Sequence, residues 1–96
     1  MIIAQVSITP IGVEVSVHEY VKIAIDEIRK SGLNYETNAM ATVIESKSLD
    51  ELFDVIKKAH HAVLKKGAKR VITEIKIDDR RDKDATMRSK TEAVEK

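Results

Sequence analysis

Two stretches of the chain carry the same instruction for a helix, and any fold must accommodate both. Ser16-Val17-His18-Glu19 and Ser48-Leu49-Asp50-Glu51 are capping boxes, in which a serine hydroxyl and a glutamate three residues on satisfy backbone donors that a helix start leaves unpaired. An apolar stripe at i, i+3, i+4 spacing follows each box. The first reads Val17, Tyr20/Val21, Ala24/Ile25 and Ile28; the second reads Leu49, Leu52/Phe53, Ile56, Ala59/His60 and Val63/Leu64. Each stripe closes on cations and then glycine, Arg29-Lys30 with Gly32 and Lys65-Lys66 with Gly67, the ending that a helix dipole and a left-handed cap favour.

Strand patterns surround both helices. Ile2 to Thr9 alternates, with Ile2, Ala4, Val6 and Ile8 on one face and Ile3, Gln5, Ser7 and Thr9 on the other, and Pro10 and Gly12 end it. Between the helices the spacing predicts two short strands, roughly 34–38 and 40–46, joined by a tight or bulged bend near Asn38-Ala39. After the second helix, 70–78 alternates again: Val71, Thr73, Ile75 and Ile77 face the helices, while Ile72, Glu74 and Lys76 face away. In the tail, 83–96, Met87, Thr91 and Val94 fall at helical spacing. So thin a stripe predicts a short helix that docks on something else, a neighbouring subunit among the options.

The order is βαββαβ within one domain, 1–96, an α+β ferredoxin-like sandwich: a four-stranded antiparallel sheet, two helices on one face and a short C-terminal helix. The other sheet face would then show Ile3, Gln5, Ser7, Ile72, Glu74 and Lys76. That mixture is too apolar for simple solvation and too polar for core, as expected of a sheet-to-sheet subunit contact with a pocket in it.

Composition excludes several functions. There is no cysteine, so a thiolate zinc site, a cysteine nucleophile and a disulfide framework are all ruled out, which suits a cytoplasmic protein. No basic, apolar leader opens the chain and no run approaches a membrane span. A net charge of +1 supplies no field for nucleic acid, and Tyr20, Tyr35 and Phe53 are the only aromatics. Tyr20 and Phe53 belong to helix stripes, so an RNA-stacking sheet is not expected. His60 and His61 are adjacent on a helix and diverge, which rules out joint metal ligation; His60, on the stripe, is expected to be a hydrogen-bonded, partly buried side chain. Asp78, Asp79 and Asp82 stand beside Arg80 and Arg81, so a solvated strand end is expected rather than a metal site. No phosphate-loop or nucleophile-elbow motif occurs, and no base–nucleophile pair has catalytic spacing, so neither an enzyme nor a catalytic residue is expected.

Gln5, Ser7, Asn38, Thr42, Glu45 and Lys76 remain: polar groups on strands or at their ends. Either they are exposed alternates that pair across strands, or they supply directional donors and acceptors in an otherwise apolar pocket. Alternation puts Thr42 with Ile44 and opposite Val43 and Glu45, so Thr42 and Glu45 share a pocket only if the strand is bulged.

Pro10-Ile11-Gly12 with Ser16 and Val21, then Ser31-Gly32-Leu33-Asn34-Tyr35, then Met40-Ala41-Thr42-Val43-Ile44-Glu45, and finally Arg70-Val71 through Ile75-Lys76-Ile77-Asp78-Asp79-Arg80-Arg81-Asp82 form a series that spans nearly the whole chain. In this order they resemble the thiamine-binding protein family, small ferredoxin-fold proteins related to the YkoF-like thiamine and hydroxymethylpyrimidine binders. The resemblance implies a non-enzymatic binder of thiamine or its pyrimidine half, assembled as a homodimer or homotetramer, a dimer of dimers built through its sheets. It carries Thr42 and Glu45 into the ligand site; Gln5, Ser7 and Asn38 join them from the strand faces. The family often places Pro-Met-Gly before the threonine and glycine after the glutamate, where this chain has Ala39, Ala41 and Ser46. Side chains at those positions limit close backbone approach and imply a narrower pocket or a different ligand. The alternative is a structural or regulatory oligomeric module with no small-molecule ligand.

Overall fold

The computed structural model describes residues 1–13 and 17–95. The elements run β1 (Ile2–Pro10), α1 (Val17–Lys30), β2 (Tyr35–Thr37), β3 (Thr42–Ser46), α2 (Leu49–Lys66), β4 (Val71–Asp79) and α3 (Met87–Glu95). The sheet is antiparallel in the order β2-β3-β1-β4, the ferredoxin-like α+β arrangement. β2 and β3 are shorter than the alternation suggested, because Asn38 to Ala41 form a turn in which the Asn38 N–H donates to the Ala41 carbonyl at 2.9 Å.

Ile2, Ala4, Val6 and Ile8 of β1 and Ile44 of β3 meet Tyr20, Ala24 and Ile28 of α1 and Leu52, Val55, Ile56, Ala59 and Val63 of α2 in one core. Burying each large aliphatic side chain there contributes roughly 1.5–3 kcal/mol. The second helix turns slightly relative to its expected stripe: Val55 is buried, whereas Phe53 is 46% exposed, because the packed face lies along 52, 55/56, 59 and 63. Phe53 is therefore a surface residue and not core. Val17, Leu49 and Leu64, at the margins of the two stripes, are exposed as well.

The first capping box falls partly outside the described residues, since Ser16 does. The second forms in altered shape. Ser48 Oγ accepts from the Glu51 N–H at 3.1 Å, but Glu51 Oε1 reaches past the cap to the Ser46 hydroxyl at 2.8 Å and the Lys47 N–H at 3.4 Å. The fully buried Ser46 thus locks the end of β3 to the start of α2. Gly67, at φ 133°, caps the other end of α2.

β1 ends at Pro10, as expected, with Pro10 itself still paired with Val71 as the last residue of the strand. On β4, Val71, Thr73, Ile75 and Ile77 lie opposite the helix-facing residues of β1, as the alternation predicts. His60 meets Thr73 there, Nδ1 to Oγ1 at 2.6 Å, half-buried between helix and sheet.

The tail is helical from Met87 and docks on its own chain. Its first turn lies against the sheet face away from α1 and α2, where Glu45, Ile3 and Asp78 form a row across β3, β1 and β4. The Met87 N–H donates to Glu45 Oε1 at 2.5 Å and Lys90 pairs with Asp78. Between them Ile3 is buried. The far end is solvated, with Val94 84% exposed. No described helix is long and apolar enough to cross a membrane.

Candidate functional site

The β2–β3 turn stops short of the end of β1, and that mismatch opens a cleft. β3 pairs with β1 over Ile2–Val6, whereas β4 accompanies β1 to Pro10. Between the bare end of β1, the face of α1 and the turn lies a space of about 230 Å³, walled by Val6, Ile8, Val21, Ala24, Ile25 and Ile28 and rimmed by Thr37 to Thr42.

Thr42 is the polar group built into it. It is 6% exposed, and its hydroxyl lies 3.2 Å from that of Thr37 across the hairpin. One hydrogen is spent between the two oxygens, so the accepting hydroxyl keeps its own hydrogen for a third partner. The pair can both donate to and accept from a molecule in the cleft. Thr37 had a sequence signal, since it is the cross-strand neighbour of Thr42 once the turn is placed.

Asn38 stands at the rim with its side-chain oxygen committed. Oδ1 accepts from the Met40 and Ala41 N–H groups at 2.9 and 3.0 Å, an Asx arrangement that shapes the turn. Its amide nitrogen is the part directed at other partners. Ser7 lines the cleft through its place on β1 and also borders a separate depression of about 210 Å³ on the opposite sheet face, with Gln5, Glu74 and Lys76.

Gln5 and Glu45 lie elsewhere. The register of Thr42 to Ser46 against β1 is continuous, so no bulge brings Thr42 and Glu45 to one face. Glu45 is buried on the far side, and both of its oxygens are engaged: Oε2 accepts from Asn34 Nδ2 at 3.1 Å, and Oε1 receives the Met87 N–H. The structure thus gathers Asn38 and Thr42 at one cleft, which Ser7 borders only through its backbone, sets the side chains of Gln5 and Ser7 on the open face, and gives Glu45 to the start of α3. The cleft lining contains no charged side chain among the described residues. Among the described residues, no group of three or more histidine, aspartate or glutamate side chains is placed to hold a metal.

The chain resembles known proteins over its full length. A UPF0045 protein of Methanothermobacter thermautotrophicus is 43% identical over 98% of this chain and 96% of the relative. A hypothetical protein of Methanocaldococcus jannaschii, 45% identical, superposes with a TM-score of 0.89 over 98% of this chain and 95% of its own. A Thermotoga maritima protein described as a putative thiamine biosynthesis/salvage protein superposes at 0.82 over 97% of both chains with 22% identity, a likeness of fold. The sequence pattern that defines the family described as thiamine-binding protein matches residues 4–95. The match covers nearly the whole chain, and the chain belongs to the thiamine-binding protein family.

Proposed function

We propose that this protein binds, without transforming it, a pyrimidine-type small molecule in the cleft between β1, α1 and the β2–β3 turn. The observation that carries this reading is the Thr37–Thr42 hydroxyl pair, with Thr42 buried against an aliphatic wall. An apolar cleft with a few convergent polar groups is the usual form of a small-molecule site. Membership of the thiamine-binding protein family supports the ligand class. Thr42 and the Asn38 amide are the ligand-facing groups; the Ser7 hydroxyl stands with Gln5 on the other sheet face. Gln5 would meet a ligand only on the open face, and Glu45 serves α3.

Within that class the neutral hydroxymethylpyrimidine half fits better than whole thiamine. The described lining offers no carboxylate to a thiazolium cation, and the cleft's volume is below the roughly 300–1,000 Å³ of pockets that take drug-sized ligands. Calorimetric titration with hydroxymethylpyrimidine and with thiamine tests the reading; no heat from either at millimolar concentration overturns it.

The same proposal includes a cytoplasmic homo-oligomer, a dimer or a dimer of dimers, and no nucleic-acid partner. A second reading, a structural or regulatory module without a ligand, is favoured by Ile72 and Ile75, which are 41% and 38% exposed on β4, an edge strand. Light scattering separates the two: under the second reading Thr42→Ala changes the oligomer mass, and under the first it weakens ligand binding at constant mass.

A further inference from the structure

The cleft also exposes main chain. The Ile11 N–H donates to the Arg70 carbonyl at 2.9 Å, and this pair continues the β1–β4 register. Main-chain polar groups alternate sides along a strand, so the odd-numbered residues of β1 bond to β4 and the even-numbered ones point to the β3 side. There Val6 lies opposite Thr42, the first residue of β3. Two residues on, Ile8 aims its N–H and its carbonyl at the cleft, and no described strand residue pairs with it on that side. The residue its register would select, Met40, is in the turn and donates its N–H to Asn38 Oδ1. Pro10, next in the even series, has no N–H. Its presence costs no ladder bond, because its nitrogen points to the side that lacks a partner.

We propose that the main chain of Ile8 is the recognition element of the cleft and reads the edge of an aminopyrimidine at which a ring nitrogen adjoins the exocyclic amino group. This rests on the small-molecule reading above. In a hydrogen-bonded antiparallel pair one residue gives an N–H and takes an N–H through adjacent groups. An aminopyrimidine edge offers the same two functions in reverse: the ring nitrogen accepts from the Ile8 N–H, and the amino group donates to the Ile8 carbonyl. A peptide strand suits the position less well, since after Ile8 the edge offers no second donor at Pro10. The Thr37–Thr42 hydroxyls supply a further anchor on the cleft wall.

The test is amide hydrogen exchange by NMR on the full-length protein, titrated with 4-amino-5-hydroxymethyl-2-methylpyrimidine and with the same ring lacking the 4-amino group. The Ile8 amide is expected to exchange quickly in the free protein, to slow at least tenfold on binding, and the des-amino ring to bind roughly tenfold more weakly. An Ile8 amide already protected without ligand overturns the inference. So does binding that Thr42→Val weakens while exchange at Ile8 stays unchanged, a result that leaves the small-molecule reading intact. No binding of either ring, nor of thiamine, overturns the small-molecule reading and this inference with it.

Discussion

Glu45, in the middle of the chain, receives the main-chain N–H of Met87 at 2.5 Å, so the first turn of the last helix begins on a carboxylate from strand β3. Helix N-termini expose unpaired donors and the positive end of the dipole, and a carboxylate answers both. Thr86 and Ser89 complete the start reciprocally: each hydroxyl accepts the other residue's N–H, at 3.0 and 2.9 Å. Glu45→Gln replaces one carboxylate oxygen with an NH2 that must face either the Asn34 amide or the Met87 N–H, both donors. It is expected to lower stability by about 1–2 kcal/mol and to speed amide exchange through α3. Under the proposed function it leaves pyrimidine affinity unchanged, because Glu45 is on the other face of the sheet.

The second anchor of α3 is sensitive to acid. Its bond with Lys90 holds the Asp78 carboxyl below the ordinary aspartate value. A depressed folded value means that this contribution is complete above the unfolded aspartate value and disappears as pH falls through the lower, folded one. Docking of α3 is therefore expected to be constant at neutral pH and to loosen only in strong acid, as read from the chemical shifts of Ala85 and Met87. Lys90→Met removes the partner that depresses Asp78, so the acid-dependent step in α3 docking should largely disappear; a step that persists unchanged contradicts the assignment.

Much of this architecture is local enough to read from the chain. Period-two alternation places Thr42 and Glu45 on opposite faces, and the register agrees. The helix stripes locate the core except at their margins, Val17, Leu49 and Leu64, and at Phe53, where adjacent apolar positions compete for one face and only packing decides which is buried. Pro10 ends β1 as read and still pairs with Val71, because its missing N–H matters only if a partner is present, and which side of β1 lacks one depends on the sheet order. The partner of Glu45 is 42 positions away, and nothing in a thin amphipathic tail names its docking site. The exposed main chain of Ile8 leaves no trace in residue identity, since every residue has an N–H and a carbonyl except where proline intervenes.

Ser46 ties strand to helix without touching the cleft. Fully buried, it shares its one hydroxyl hydrogen between the Ser48 carbonyl at 2.9 Å and Glu51 Oε1 at 2.8 Å. Ser46→Ala leaves the Glu51 carboxylate short of a partner at the start of α2 and is expected to cost about 1–2 kcal/mol. Ser46→Gly adds backbone freedom within β3 and is expected to cost more. Urea denaturation orders the three proteins as wild type, Ala, Gly; a glycine variant as stable as wild type removes Ser46 from this role.

The hydroxyl pair at the cleft separates ligand binding from stability. Thr42→Val keeps the β-branched shape that β3 packs against Val6 and removes one of two facing oxygens, leaving the Thr37 hydroxyl at a solvent-accessible position where water replaces the lost partner. Stability is expected to fall by less than about 1 kcal/mol, while affinity for hydroxymethylpyrimidine falls roughly tenfold. Thr37→Val alone should produce a smaller loss of affinity, since Thr37 is the more exposed of the two. The double variant should lose no more than the two single changes combined if each hydroxyl meets the ligand separately, and distinctly less if they act as one relayed donor. Calorimetric titration of the four proteins reads the coupling directly, and wild-type affinity in both single variants takes the hydroxyl pair out of the site.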